Sequence, residues 1–370
     1  MTGKNIAGVI YSSAYDSALS ELTAVRTMGS VPFGCRYRLI DFMLSGMVDF
    51  GMSKVGVVMN SNYRSLMDHI GTGRPWDLAR KRESLFLLPP YNYSGAGAYE
   101  SKIAMLHGLT DFLTHTNEEF VLLTDCNAVC NLNVESLAAA HEATGADITV
   151  AYIEGRLPAL NDVAVLTLDG EKITGVQAAP KDVECGAYAA NIYLMKKSLL
   201  LRLIYDADAH GYVDFERDIL MRNPAGMKLF GWKIPGFCRV IDSLQSYFDV
   251  NMALLDKENR DALFCADRPI FTKVHDNMPT VYGIGSSAQN SLIADGCVIN
   301  GTVINSILFR GARVEKGAVV KNSILMQNSF ISADAAINCV IADKDVVIKP
   351  GKTLSGAENY PIYIAKGKVI

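Results

Sequence analysis

Short runs of β-branched and aliphatic residues alternate with longer amphipathic stretches from residue 6 to about residue 255. The apolar runs predict strands at residues 6–11, 54–59, 120–124, 148–153 and 189–195. The longer stretches repeat their apolar residues at helical spacing and predict helices at residues 39–50, 63–71, 102–114 and 134–144. Strands that alternate with helices are typical of a mostly parallel sheet covered by helices, so we expect a Rossmann-like α/β domain.

Two local signals refine this picture. Gly145 follows the helix predicted at residues 134–144 and can adopt the left-handed conformation that often ends a helix. Asp169 and Gly170 separate the apolar runs at residues 163–168 and 172–176, and this dipeptide tolerates the positive φ of a tight turn. The second signal therefore predicts a β-hairpin.

Beyond Asp276 the helical spacing disappears, and aliphatic residues recur about every five or six positions. This spacing predicts a left-handed parallel β-helix of hexapeptide repeats, in which stacked coils share one apolar core. An open sandwich of short strands is the alternative. The predicted inward row consists of Val298, Val303, Leu308, Val314, Val319, Ile324, Ile331 and Ile337.

The length of 370 residues exceeds what one hydrophobic core usually supports. We therefore expect an α/β domain at residues 1–255, a linker at 256–282 and a β-helix at 283–370. A formal net charge of −4 gives no electrostatic reason to expect nucleic acid as a partner. The apolar run at residues 6–10 is shorter than a signal-peptide core or a membrane span, so a cytoplasmic protein without membrane contact is expected.

A turn rich in glycine and proline leads into Arg36, Arg38 and a predicted helix. Arginine pairs are suited to phosphate, although on a surface they are often simply solvated. Residues 32–45 read PFGCRYRLIDFMLS and resemble the PFGGxYRxIDFxLSN block of ADP-glucose pyrophosphorylases. The sequences LMDHIG, DFERDI, CVING and NSILF, at residues 66–71, 214–219, 297–301 and 305–309, continue a resemblance that covers both predicted domains.

The resemblance implies a nucleotidyltransferase domain followed by a left-handed β-helix. Catalytic members of the family make ADP-glucose from ATP and glucose 1-phosphate with Mg²⁺, and they carry a GGxGxRLxPLT loop after the first strand. The matching positions here are Ser13, Ala14, Asp16 and Ala18. A side chain at each former glycine fills the space a phosphate would need, and Asp16 adds a repelling charge. ATP is therefore expected to bind poorly or not at all.

In the family, two aspartates ligate the metal, and this chain keeps only one of them. Asp125 matches one of them, but Val240 stands at the other, in the segment that reads WRDxGT in the family. Valine cannot coordinate a hard cation. Asp242 could substitute only if the register of its strand slips, so no metal site is expected in this chain.

Other positions of the implied substrate site differ as well. Glu100 replaces an arginine, Ala179 replaces the lysine that binds the sugar phosphate, and Asn191 replaces a glycine. Lys102 could restore some of the lost charge, although a lysine that opens a helix is usually solvated. The substrate-site residues that remain are Tyr99, Tyr193, Asp214 and Asp218.

The family also binds effectors between its two domains, and Arg26 and Arg38 match two basic positions of that site. They predict a sugar-phosphate effector site, with ordinary interface salt bridges as the alternative. Together the losses resemble the GlgD-type regulatory subunits of the family. The resemblance implies a chain that is inactive or nearly inactive alone and requires no cofactor itself. It would assemble with a GlgC-type catalytic subunit, which uses Mg²⁺, in a heterotetramer. A weakly active sugar-nucleotide transferase is the alternative.

Overall fold

Most strands of the first 255 residues pair into one mixed sheet, and four others form two small two-stranded sheets, in the computed structural model, which describes residues 1–79, 84–89, 102–180, 182–223 and 226–370. The strands are β1 (Ile6–Tyr11), β2 (Pro32–Phe33), β3 (Tyr37–Arg38), β4 (Val55–Val58), β5 (Leu85–Leu88), β6 (Phe120–Asp125), β7 (Ala128–Cys130), β8 (Ile148–Arg156), β9 (Ala164–Asp169), β10 (Lys172–Ala178), β11 (Cys185–Lys196), β12 (Leu229–Lys233) and β13 (Cys238–Val240). Nine described strands form the sheet in the order β5-β4-β1-β6-β11-β8-β12-β10-β9. The neighbours β4, β1 and β6 are parallel, so the chain that follows β1 and β6 emerges at the same edge. The hairpin predicted around Asp169 and Gly170 is confirmed as β9 and β10.

Helices cover both faces of the sheet. They are α1 (Ser20–Thr23), α2 (Leu39–Asp49), α3 (Arg64–Ile70), α4 (Lys102–His107), α5 (Thr110–Thr114), α6 (Val134–Thr144), α7 (Lys197–His210), α8 (Leu244–Met252) and α9 (Lys257–Leu263). The prediction for α6 is confirmed, and Gly145 has the left-handed φ of 58° expected of its cap. The single helix predicted at residues 102–114 is wrong, because the chain breaks between α4 and α5 at Gly108, a residue that weakens a helix interior.

The C-terminal part is a left-handed β-helix of three parallel five-stranded sheets. Its strands are β14 (Val281–Tyr282), β15 (Ser287–Gln289), β16 (Leu292–Ile293), β17 (Val298–Ile299), β18 (Thr302–Ile304), β19 (Ile307–Leu308), β20 (Arg313–Val314), β21 (Val319–Lys321), β22 (Ile324–Leu325), β23 (Phe330–Ile331), β24 (Ala336–Asn338), β25 (Val340–Ala342), β26 (Val347–Ile348), β27 (Thr353–Ser355) and β28 (Ile362–Ile364). Each strand pairs with its equivalent in the next coil. The predicted β-helix is therefore confirmed.

Part of the predicted inward row is wrong by one residue. Ile299 and Val320 are fully buried inside the coils, whereas their neighbours Val298 and Val319 point outward and are partly exposed. The reason is the alternation of side chains along a strand, which makes two adjacent aliphatic residues indistinguishable from spacing alone. Val303, Leu308, Val314, Ile331 and Ile337 do lie inside.

The two domains share a core. Ile324 is buried, but it points away from the coil interior, together with Ile307 and Ile341 on the same sheet. These side chains belong to the apolar cluster of the α/β domain, so one face of the β-helix packs directly against that domain. The segment at residues 256–282 contains α9 and then an extended stretch that leads into β14.

Candidate functional site: a lysine enclosed by carboxylates

A cleft of about 570 Å³ opens at the carboxyl ends of β1 and β6. The chain that leaves β1 forms one wall, the loop before β9 and the segment before Phe215 form the others, and the first residue of α4 lies at the base. The lining residues are Ala14, Tyr15, Ser17, Ala18, Lys102, Met105, Ala159, Leu160, Asn161, Asp162, Val213, Asp214, Phe215, Glu216 and Asp242. This edge of a parallel sheet is where α/β proteins usually bind ligands.

Lys102 lies at the centre of the site and is not solvated as a lysine at the start of a helix usually is. Its Nζ lies 2.7 Å from Oε1 of Glu216, 3.2 Å from Oδ2 of Asp125 and 3.3 Å from Oδ2 of Asp162. It also donates a hydrogen bond of 2.6 Å to the hydroxyl of Tyr15. Side-chain exposure is 11% for Lys102, 2% for Asp125 and 1% for Glu216. We call Lys102, Asp125, Asp162 and Glu216 the lysine cage.

The electrostatics of the lysine cage follow from its burial. Burial lowers the pKa of Lys102, but Asp125 and Glu216 outweigh this effect and hold that pKa well above its ordinary value. Burial raises the pKa of Asp125 to about 6, against the opposing effect of the Lys102 ammonium, and it raises the pKa of Glu216 as well. The lysine is therefore charged, and three carboxyl groups compete for one cation.

Sequence reasoning missed Asp162 and Glu216. Glu216 lies in the acidic run at residues 214–218, but Asp162 lies in a loop without a recognisable pattern. The remnant Tyr193 lies beside the cage, because its hydroxyl donates to Oε1 of Glu216 over 3.1 Å. Asn191 adopts a left-handed φ of 57° at the bulge of β11, which asparagine tolerates, and its amide donates to the hydroxyl of Tyr15.

The carboxylates of Asp214 and Asp218, two other residues predicted for the substrate site, accept hydrogen bonds from the backbone. Asp214 accepts a hydrogen bond from the N–H of Arg217 and caps the π-helix at Phe215–Met221. Asp218 accepts the N–H groups of Val213 and Asp214. Burial raises the pKa of Asp218, but these donors outweigh it and keep the pKa below its ordinary value. Tyr99 lies outside the described residues.

The segment expected to replace the nucleotide loop packs partly into the fold. Ala14 and Ala18 line the cleft, and Ser13 is buried. Asp16 begins a 3₁₀ turn, Asp16–Leu19, and its Oδ1 accepts the N–H of Met28 over 2.7 Å. The Asp16 carboxylate thus fixes the chain that enters the PFGC block.

Replacing Asp16 with asparagine should stabilise the protein at alkaline pH. Burial raises the pKa of Asp16 to about 7, although the N–H of Met28 opposes this. Since the unfolded pKa is about 3.9, the folded state binds more protons between these values, and stability falls as pH rises through that window. Asp16→Asn keeps an acceptor for Met28 and removes the charge. Its gain in free energy of unfolding should be largest at pH 8 and shrink towards pH 5 in denaturant titrations.

The matched control is Asp206→Asn, at an exposed position of α7. It should shift neither the magnitude nor the shape of the stability profile. An Asp16→Asn chain with the same pH dependence as the wild type would contradict the burial of this carboxylate.

The residues at the expected metal position do not fit Mg²⁺. Val240 is buried in β13 opposite Ala128 and offers no oxygen. Asp242 is engaged elsewhere, because its Oδ2 accepts the N–H of Ala159 over 2.6 Å and its Oδ1 accepts the hydroxyl of Ser243. The ammonium of Lys102 lies against Asp125, the residue expected from the resemblance to be the one retained ligand. Within the described part of the chain, no group of three or more His, Cys, Asp or Glu residues is arranged to hold a metal ion.

The remaining predicted residues lie elsewhere. Ala179 ends the hairpin with a φ of 46° and donates its N–H to the carbonyl of Val163. Arg26 forms a bidentate pair with Asp343 of the β-helix, over 2.9 Å and 2.8 Å, with both side chains buried. Arg38 donates to the carbonyl and hydroxyl of Ser65. Of the two arginines, Arg26 is thus engaged in the interface salt bridge that the sequence left open.

Comparison with known proteins places the whole chain. Residues 278–359 match the family described as GlmU-like, C-terminal hexapeptide. The glycogen biosynthesis proteins GlgD of Bacillus subtilis and Geobacillus stearothermophilus are 32% and 36% identical, over 100% and 98% of this chain and 98% and 96% of their own lengths. The glucose-1-phosphate adenylyltransferase of Thermotoga neapolitana is 30% identical over 86% of this chain and 76% of its own length.

The fold agrees with this match in both parts. No helix among the described residues is long and apolar enough to cross a membrane. The α/β domain, the hexapeptide β-helix and the full-length similarity to GlgD lead to one assignment. The chain belongs to the ADP-glucose pyrophosphorylase family and, within it, to the GlgD glycogen biosynthesis proteins.

Proposed function

We propose that this chain acts in glycogen synthesis as a regulatory, catalytically degraded subunit of ADP-glucose pyrophosphorylase. It would raise the activity, or change the effector response, of a GlgC-type catalytic subunit with which it assembles. The observation that carries the proposal is the lysine cage. A tethered ammonium lies against Asp125, where the reaction needs a metal-bound phosphate.

The charge of the cleft supports the same conclusion. Asp162, Asp214, Glu216 and Asp242 line it, whereas the one lysine among the described lining residues is already paired with carboxylates. ATP and glucose 1-phosphate are both anionic, so each would enter against net negative charge. Removing a single stabilising donor commonly costs about 2.7–4 kcal/mol in the transition state, and several are altered here.

An exposed apolar edge supports assembly with another protein. The first coil of the β-helix presents Met278, Val281, Tyr282 and Ile284 to solvent, with exposures between 55% and 107%. Strand β14 forms the edge of its sheet. Contiguous exposed apolar side chains usually mark an interaction surface. We propose that this edge contributes to the contact with the catalytic subunit, in a heterotetramer.

A group of basic residues between the domains supports an effector site. Burial, with Arg38 and Arg26 nearby, lowers the pKa of Lys344 to about 7. Such a site stabilises an anion, because an added negative charge relieves the repulsion among the cations. We propose that a sugar phosphate binds at Arg38 and Lys344, while Arg26 stays paired with Asp343.

Co-assembly with the catalytic subunit should raise its kcat or alter its effector sensitivity by about 5–150-fold, the range for couplings of about 1–3 kcal/mol. A chain that binds one conformation of the partner better than the other shifts the partner towards that conformation. Each chain alone and the purified mixture are compared by mass and by ADP-glucose formed, with and without fructose 1,6-bisphosphate. The isolated chain should form no detectable ADP-glucose.

The variant Asp125→Asn distinguishes enhancement by assembly from hidden catalysis by this chain. If the chain acts by assembly, the variant should enhance the partner as well as the wild type does. Loss of enhancement with intact assembly would indicate hidden catalysis by this chain, the behaviour of a weakly active transferase. A mixture that assembles but neither runs faster nor responds differently would refute the regulatory proposal.

A further inference from the structure

The lysine cage gathers three carboxylates around the ammonium of Lys102, although no such group among the described residues is arranged to hold a metal ion while that ammonium is in place. Asp125, Asp162 and Glu216 come from β6, from the loop before β9 and from the π-helix, and one oxygen of each lies 2.7–3.3 Å from the same nitrogen. Carboxylates that converge from three separate segments repel one another unless a cation lies among them.

The cage also retains unused acceptor capacity. Oδ1 of Asp125 is buried and accepts no hydrogen bond among the described residues, and the hydroxyl of Tyr11 beside it on β1 is likewise unpaired. An ammonium has three protons to share. Nζ of Lys102 has contacts with three carboxylates and with Tyr15, so its donors are already used. The cage therefore contains more hydrogen-bond acceptors than the ammonium of one lysine can satisfy.

We infer that Lys102 is a built-in replacement for a divalent cation, and that removing its amine uncovers a divalent-cation site formed by Asp125, Asp162 and Glu216. The wild-type chain would then be closed to metal at this place because its own side chain occupies it. Oxygen ligands of this kind suit hard cations such as Mn²⁺, Mg²⁺ and Ca²⁺.

The physical reason is the cost of buried charge. Without Lys102, the buried carboxyl groups of Asp125 and Glu216, beside the partly exposed one of Asp162, must take up protons or recruit another cation. Proton uptake can relieve the repulsion, but a divalent ion relieves it while keeping the oxygens ionised at neutral pH. Truncation to alanine also removes the four-carbon stem of lysine, which leaves room for an ion and its waters.

This inference goes beyond the proposed regulatory function and does not depend on it. It concerns metal binding by the isolated chain, whereas the regulatory function is tested by the rate of a mixture. A regulatory subunit can have a closed or an open cage, and a closed cage can occur in a chain that assembles with nothing.

The test is Mn²⁺ binding by the full-length Lys102→Ala chain, followed by electron paramagnetic resonance and by the thermal unfolding midpoint. We expect one equivalent of Mn²⁺ bound at least about tenfold more tightly than by the wild type, with a matching rise in midpoint. The control Lys102→Ala/Asp162→Asn removes one cage ligand and should weaken binding again. Lys102→Arg, which keeps a cation in the cage, should bind no more Mn²⁺ than the wild type.

Each result of the Mn²⁺ experiment either supports or contradicts a cation site at the lysine cage. If Lys102→Ala is recovered folded only when Mn²⁺ is present, the inference is supported more strongly. Equal Mn²⁺ binding by the wild type and Lys102→Ala would overturn it, as would binding unchanged by Asp162→Asn. Failure of both Lys102→Ala and the smaller change Lys102→Gln to fold or to take up Mn²⁺, even when refolded with it, would also overturn it.

Discussion

Replacing Arg26 with methionine should lower the free energy of unfolding by about 3–5 kcal/mol, because the change leaves Asp343 buried without its partner. The guanidinium is 2% exposed and the carboxylate is fully buried, and two parallel hydrogen bonds join them. The pair connects the α/β domain to the β-helix. Denaturant titration should therefore show a lower midpoint and, if the domains separate, two transitions where the wild type has one.

Two variants make this prediction specific. Arg26→Met/Asp343→Leu removes both charges and should recover much of the loss, since no carboxylate remains buried alone. Lys257→Met breaks the exposed pair between Lys257 and Asp261 and should leave the midpoint unchanged. A single Arg26→Met chain as stable as the wild type would show that the interdomain pair contributes nothing.

Replacing Val314 with aspartate should prevent the β-helix from folding. Val314 is fully buried in the coil interior, in a cluster of apolar side chains that would leave a carboxylate desolvated. We expect a loss of roughly 4 kcal/mol or more, in the range that marks an unpaired charge in a core. Because each coil is stabilised by its neighbours, the loss should spread along the β-helix and yield insoluble protein or no assembly.

The control for this prediction is Val298→Asp. Val298 lies in β17 next to the buried Ile299, but it points outward and pairs across the sheet with Arg313. The new carboxylate would be solvated and would face a cation, so the variant should be soluble. Equal solubility of Val314→Asp and Val298→Asp would mean that the inward row is wrong.

The elements of the fold followed largely from local patterns. The strands around Val9, Val57 and Leu123 and the helix that ends at Gly145 are where alternation, helical spacing and a glycine cap predict them. The β-helix was predictable because its repeat recurs through many coils. The break at Gly108 was missed because the helical spacing of apolar residues continues across this glycine. The error at Val298 arose because Val298 and Ile299 are both aliphatic, and only packing in the coil decided which of them points inward.

What the sequence determined by itself was the kind of protein: an α/β domain followed by a β-helix, and the family to which the chain belongs. The loss of a metal-binding aspartate at Val240 stays a prediction from the resemblance. These are properties of single positions and short periods. Only the tertiary structure decided the state of the site. Lys102, Asp162 and Glu216 are separated by 60 and 54 residues along the chain, so no local pattern relates them. They interact because the start of α4, the loop before β9 and the π-helix meet at one cleft. Attraction between opposite charges is strong where water is largely excluded, so the lysine is stabilised by its carboxylate partners.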